Sequence, residues 1–331
     1  MEQLFIPLNR QPPIRLSCTF IPCPTNIRPS PSITLTIFLS GIDNPQKWWI
    51  PTISHLATIN SLTTPMLIYD HPGCGTSTDR NPDVEIQERP RGHGRDLLDA
   101  ARDLRELVIS IGKLKLNIEE KDIEKLRIVF VANSIGVAIA RLYAQEYPRT
   151  VSGFLILDST IANSDTISIF PDPDASGFDE RKLPPGVTAS MCKETREKIG
   201  KGYHILGPTR EGLWRGTIST LLPYADRPKL KGPTEQTPYV TVVEHDMEYF
   251  PKIMETQGLG VPEIMIRLYF DPCWHEYNLG LAQLTKPHLS KGPYEAKGSA
   301  HVVQRDDPKL VAWELAEILD KLSLQETASH I

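Results

Sequence analysis

Short apolar runs separated by turn residues dominate the first third of the chain. Leu4–Pro7, Arg15–Ile21 and Ile33–Leu39 carry β-branched and aromatic residues at strand spacing, and Ser40-Gly41 ends the third run. Pro22, Pro24, Pro29 and Pro31 punctuate the gap before it. Thr64-Pro65 introduces another run, Met66–Tyr69, which stops at Asp70-His71-Pro72-Gly73. The period then changes: Leu97, Ala101, Leu104 and Val108 fall on one face of a helix expected over Asp96–Ile109. Leu126–Val131 is apolar apart from Arg127, the pattern of a strand buried on both faces of a parallel sheet. Val137–Tyr147 is helical in pattern up to Pro148, and Ser152–Leu157 is the next strand, ending at Asp158. Strands alternating with helices predict an α/β domain with a mostly parallel sheet.

From about Ile161 to Gln236 this rhythm breaks. The stretch is polar and carries Pro171, Pro173, Pro184, Pro185 and Pro208, with helices expected around Met191–Ile199 and Arg210–Leu222. It reads as an insertion packed over the sheet. The alternation resumes with a strand at Tyr239–Val243, followed by a helix-containing connection through Trp274–Leu284. A final helix is opened by Asp307-Pro308, a capping residue followed by proline at the first helical position. Its apolar face is Val311, Leu315, Ile318, Leu319 and Leu322. The pattern divides the chain into a core, residues 1–160 and 237–331, and a cap, residues 161–236.

Composition narrows the function classes. Of 331 residues, 40% are hydrophobic and 23% charged, which permits a sizeable core and excludes wholesale disorder. The 36 basic and 41 acidic residues give a net charge of −5, which argues against a nucleic-acid footprint or a polybasic membrane surface. The apolar stretches reach only about ten residues, whereas a membrane-spanning helix needs roughly twenty. The N-terminus lacks the basic start and apolar run of a secretory signal, and the C-terminal ETASHI carries no peroxisomal or prenylation address. Five cysteines, odd in number and without a CxxC pair, suggest neither a disulfide framework nor a zinc site. A reducing, cytoplasmic location is the expectation from these features.

The chemistry is concentrated in LRIVFVANSIGVAIARLYA, residues 126–144. A buried strand runs into Ser134 and a helix leaves directly after it. Such a turn holds a serine hydroxyl above the sheet at a helix N-terminus, where the following backbone N–H stabilises an oxyanion. The usual signature is G-x-S-x-G; here it is Ala132-Asn133-Ser134-Ile135-Gly136. Small residues flank the serine because the sharp turn brings neighbouring backbones together, a need that alanine meets less freely than glycine. A serine nucleophile needs a base, and His301 in KGSAHVVQRDDP, just ahead of the final helix, is the candidate.

SGI after the third strand, YDHPGCGTS after the fourth, ANSIG at the elbow and SAHVVQRDDP before the last helix together resemble the α/β-hydrolase fold over nearly the whole chain. The C-terminal third (VVEHDMEYFP, WHEYNLGLAQLT, GSAHVVQRDDP) is similar to uncharacterised fungal α/β hydrolases. The resemblance implies an acid that orients His301. Fold position favours Asp246 at the end of the Tyr239–Val243 strand; Asp158, at the end of the preceding strand, is the alternative, and Glu244 a third. It also implies an oxyanion hole made by the N–H groups of Ile135 and of Ile42 in the Ser40-Gly41-Ile42 turn, where the family commonly has His-Gly. Asp70–Gly75 matches a structural turn of the family, with His71 and Cys74 as less favoured chemical candidates. Trp48, Trp214, Tyr203 and Leu213 are substrate-contact candidates whose ordinary reading is core or cap packing.

The leading expectation is therefore a capped serine hydrolase acting on an ester, thioester or related acyl bond of a small molecule, with no metal or organic cofactor required. A serine at the elbow argues against epoxide hydrolases and dehalogenases, which need aspartate there. A second reading is a natural-product (secondary-metabolism) enzyme of the same fold carrying out acyl transfer, C–C cleavage or assisted cyclisation. A third is a ligand-binding protein with a little-used triad. Small molecules, rather than nucleic acid or membrane, are the expected partners, with the chain a monomer or homodimer.

Overall fold

A computed structural model describes residues 1–331 except 11–12, 24–32, 60, 83–84, 203–205, 234–236 and 329–331, and describes the backbone alone for 326–328. Tyr203 and the prolines at 24, 29 and 31 lie outside the described residues.

The main sheet has eight strands, numbered here β1 (Glu2–Leu8), β2 (Ile14–Ile21), β3 (Thr34–Leu39), β4 (Met66–Tyr69), β5 (Arg127–Ser134), β6 (Val151–Ser159), β7 (Tyr239–Glu244) and β8 (Ser290–Glu295). Their order across the sheet is β1-β2-β4-β3-β5-β6-β7-β8. β2 pairs antiparallel with β1 and β4, and every other pair is parallel. The crossover at β3 and β4 sets β3 directly beside β5, with Thr34–Leu39 in register with Arg127–Ala132. That pairing brings the loops after both strands to one edge of the sheet.

The longest helices are α1 (Ile50–Thr58), α2 (Leu97–Lys115), α3 (Ile135–Glu146), α4 (Ala189–Gly202), α5 (Asp271–Ala282) and α6 (Pro308–Ala328). α2 and α3 cover one face through Leu97, Leu104, Val108, Ile139 and Tyr143. α1 and α6 cover the other through Ile53, Leu56, Val311, Leu315 and Ile318. Every residue of β6 is buried, as its unbroken apolar run requires. α2 opens with a capping box: Asp96 accepts from the Leu98 and Asp99 N–H groups, and the Asp99 side chain accepts from the Asp96 N–H. Such a cap contributes about 1 kcal/mol.

Two expectations need correction. Arg210–Leu222 is not one helix: Leu213–Trp214 forms a short strand beside Arg95–Asp96, and only Ile218–Leu221 is helical. The backbone pairing there overrides the apolar spacing. The edge strand β8 has no counterpart in the sequence reading, because SKGPYE has neither an apolar run nor clean alternation. Between β6 and β7 no described residue joins the main sheet, and α4 is the longest element of that stretch. No helix among the described residues is long and apolar enough to cross a membrane.

Candidate active site

β5 delivers Ser134 to the edge of the sheet at φ 55°, ψ −124°, and α3 begins at the next residue. A non-glycine residue held there costs on the order of 1–3 kcal/mol and persists only where its surroundings over-determine it. The packing does so. A Cβ on Gly136 would lie 2.6 Å from the Leu39 carbonyl oxygen, so only glycine lets α3 start this close to β3. Ala132 is fully buried, its backbone paired with Leu39 of β3 on one side and Ile156 of β6 on the other. Asn133 laces the turn to its surroundings: its amide donates to the carbonyls of Leu157 and His301, each at 2.9 Å, and its oxygen accepts from Gln304 Nε2.

His301 stands on the loop ahead of the last helices, its Nδ1 2.6 Å from Asp158 Oδ2. Asp158 has φ 40° and is the extra residue of a β-bulge, since Asn133 opposes Leu157 while Ser134 opposes Ser159. A bulge re-aims a side chain; this one turns the Asp158 carboxylate toward the histidine. Burial alone would raise the pKa of Asp158, but His245 and His301 beside it lower it to about 2. The carboxylate is therefore ionised at neutral pH.

The structure sets the alternative acid, Asp158, beside His301, and not the favoured Asp246. Asp246 does not face His301. Its Oδ1 accepts the N–H groups of Glu248 and Tyr249, and its Oδ2 that of Gly298, so it closes the loop after β7. Glu244 is bound by His275 and Asn278. The residue between them, His245, was passed over in the sequence, and it contacts Asp158 through Nδ1 at 2.8 Å.

The Ser40-Gly41-Ile42 turn abuts the serine: a Cβ on Gly41 would come within 3.0 Å of Ser134 Cβ. In place of the usual histidine, Ser40 accepts a hydrogen bond from Trp49 Nε1 at 2.9 Å. Asp43, at φ 56°, is tied down from the inserted stretch, its N–H donating to Glu211 Oε1 and its Oδ1 accepting from the Arg210 N–H. Glu211 Oε2 also lies 2.8 Å from His71 Nδ1. His71 is thus occupied in holding the turn, and burial pushes the Cys74 thiol up to about 12, far from a nucleophile.

Ile42, Ile135, Ser134 and His301 line one cavity of about 180 Å³, closed by Ile161, Ile218, Phe270 and Trp274, with Asn44, Thr160, Thr166 and Arg215 as its polar lining. Phe270 ends a π-helical turn, Ile266–Phe270, immediately before α5. Ser134 Oγ and His301 form no hydrogen bond in this structure, a contact that commonly tightens only with substrate. Trp48 and Trp214 do not line this cavity. Trp48 lies under the Arg305 guanidinium and Trp214 under that of Arg89, while Leu213 packs in the core beside Trp214. A larger open groove of about 690 Å³ beside Asp70–Thr76 does not reach Ser134 or His301. No cluster of His, Cys, Asp and Glu among the described residues is arranged to hold a metal ion.

No family model matches the chain, and no curated protein matches its sequence. Solved structures do match. A thermophilic esterase from Thermogutta terrifontis aligns over 97% of this chain and 99% of its own at 15% identity, with a TM-score of 0.51. The peroxisomal α/β-hydrolase of Saccharomyces cerevisiae aligns over 98% of this chain and 89% of its own, at 11% identity and TM-score 0.57. The chain has the α/β-hydrolase fold. An epoxide hydrolase from Vigna radiata shares it too, at 12% identity and TM-score 0.53 over 97% of this chain and 98% of its own. At such identities the likeness concerns the α/β-hydrolase fold alone, and the chemistry must be argued from the residues at the elbow and around it.

Proposed function

We propose that the chain is a serine hydrolase that cleaves an ester or thioester bond of a small molecule through an acyl-enzyme. The observation that carries this reading is a left-handed Ser134 sharing a cavity with His301, whose Nδ1 is held by the ionised Asp158. His301 Nε2 takes the hydroxyl proton as Ser134 Oγ bonds to the acyl carbon, and the carbonyl π electrons move to oxygen. The N–H groups of Ile42 and Ile135 receive that oxyanion. When the tetrahedral adduct collapses, the bond to the leaving oxygen or sulfur breaks and His301 returns the proton to it. Water, deprotonated by the same nitrogen, then attacks the acyl-enzyme and frees Ser134.

The two other elbow chemistries of the fold are disfavoured by the serine itself: alkyl-enzyme formation requires a carboxylate nucleophile at that position. The cavity, about 180 Å³ and walled mainly by isoleucine and aromatic side chains, suits a short acyl group, since pockets for drug-sized ligands run roughly 300–1,000 Å³. In this reading residues 161–236 act as the cap, contributing Ile161, Thr166, Arg215 and Ile218 to the cavity wall.

Intact-mass analysis after treatment with a fluorophosphonate tests the proposal. One adduct is expected on the parent chain and none on Ser134→Ala or His301→Ala. A folded parent that takes no adduct would remove the nucleophile from the mechanism.

A further inference from the structure

We propose that His245 is a positioning residue of this site, its ring and backbone N–H together fixing Asp158 so that the second carboxylate oxygen faces His301. The proposal takes its chemistry from the serine-hydrolase reading but rests on independent geometry. As a bulge residue, Asp158 is not oriented by regular strand pairing. Its Oδ1 instead receives two donors from one residue, the His245 N–H at 3.1 Å and His245 Nδ1 at 2.8 Å. With Oδ1 occupied, Oδ2 is left for His301 Nδ1 at 2.6 Å.

His245 is itself held on every side. It is fully buried, and its ring lies 4.2 Å from that of Phe250 and 5.0 Å, edge-on, from that of Trp274. The Trp274 indole also stands 5.2 Å from the His301 ring and donates to the Ser159 carbonyl. One indole therefore packs against both imidazoles.

The charges fall in a consistent order. His245 Nε2 is 3.4 Å from Oδ1 of buried Asp271, an ion-pair contact too poorly aligned for a hydrogen bond, and the Asp271 carboxylate has no hydrogen-bond partner among the described residues. Burial alone would lower the pKa of His245, yet Asp158 and Asp271 together push it up to about 10. The ring is an imidazolium at neutral pH. An isolated imidazolium beside Asp158 would cancel the negative charge that stabilises protonated His301. Asp271, on α5, sets a second carboxyl group against the other ring nitrogen, so the imidazolium is not isolated. Burial, with the charge of Asp158, raises the pKa of Asp271 above the ordinary carboxylate value, and His245 and Arg267, in the preceding π-helical turn, offset this only in part. Phe250 and Trp274, the remaining ring contacts of His245, are uncharged.

Two isosteric amides test the idea. In His245→Asn the amide nitrogen occupies the place of Nδ1 and still reaches Asp158; in His245→Gln it occupies that of Nε2 and turns toward Asp271. The rate of Ser134 phosphonylation is one readout. The low-field proton resonance of His301 Nδ1–H, followed in 15N-histidine-labelled protein, is the other and needs no catalysis. The expected result for His245→Asn is labelling close to parental and a retained His301 resonance, because the hydrogen bond to Asp158 Oδ1 is kept. For folded His245→Gln, labelling should fall by about tenfold to a hundredfold, the usual consequence of misplacing a reacting group by about 1 Å, with the resonance shifted or lost. Equal behaviour of the two folded variants in both readouts would overturn the proposal. A parent that is not phosphonylated, but whose resonance separates the two variants as described, would refute the hydrolase reading and leave the positioning role standing.

Discussion

Replacing Asp158 and Asp246 in turn separates the acid that holds His301 from the one that fold position favours. Asp158 Oδ2 lies 2.6 Å from His301 Nδ1, which places the two charge centres roughly 4 Å apart in the transition state. At an effective dielectric constant of about 20, that separation is worth about 4 kcal/mol, or about 10³ in rate. Asp158→Asn removes this charge. It also turns an amide N–H toward Nδ1, which favours the tautomer whose Nε2 cannot accept the Ser134 proton, so the loss should reach about 10³–10⁴. Asp246→Asn removes no contact to His301. It gives up at least one of three backbone hydrogen bonds, costing about 1–2 kcal/mol of stability, and leaves reactivity per folded molecule unchanged. The assay is the phosphonylation rate of Ser134, normalised to the folded fraction from urea titration, because Asp158→Asn also strips His245 of a counter-charge. Parental labelling of Asp158→Asn together with loss of labelling in Asp246→Asn would refute the assignment.

Three further outcomes follow from the packing. Gly136→Ala should destabilise the chain by about 1–3 kcal/mol, because its Cβ would sit 2.6 Å from the Leu39 carbonyl oxygen; an unchanged urea midpoint would contradict the close approach. Trp49→Phe removes the donor to Ser40 and should cost about 1 kcal/mol in urea titration and slow phosphonylation, whereas Trp48→Phe, outside the cavity, should leave the rate as it is. His245 has its folded-state pKa raised to about 10, above an unfolded value of about 6.5. Its stabilisation is then complete below pH 6.5 and is lost as the pH rises toward 10. Stability from urea titration should fall across that window with a slope of up to about 1.4 kcal/mol per pH unit in the parent and not in His245→Asn; equal slopes would show the ring to be neutral.

Much of the fold could be read from the sequence because its central strands are buried on both faces and leave unbroken apolar runs such as Leu126–Val131. Ser134 and His301 were legible for a related reason: each sits where a recognisable element begins or ends. The acid was not. In the sequence Asp158 and Asp246 both stand at the ends of apolar runs, and what distinguishes them is a one-residue bulge in β6 that no local spacing announces. His245 was not legible, since an imidazole between two carboxylates in VVEHD carries no spacing that links it to Asp158. Trp214 lies outside the cavity, in keeping with its ordinary reading as packing, and its pairing through Leu213–Trp214 with Arg95–Asp96 is invisible to periodicity. β8 escaped notice as a partly exposed edge strand with Pro293 in its middle.

The double contact of Glu211 limits how this scaffold can be re-engineered. Exchanging the segment between β6 and β7 would replace part of the cavity wall. Here that segment carries the acceptor for the Asp43 N–H and for the buried His71 ring. A graft that replaces the whole of 161–236 leaves both donors unmet, at about 1–3 kcal/mol for the buried imidazole alone, and loosens the turn that bears Ile42. The viable splice points therefore lie on either side of Thr209–Arg215, with that short stretch inherited as part of the scaffold rather than of the insert.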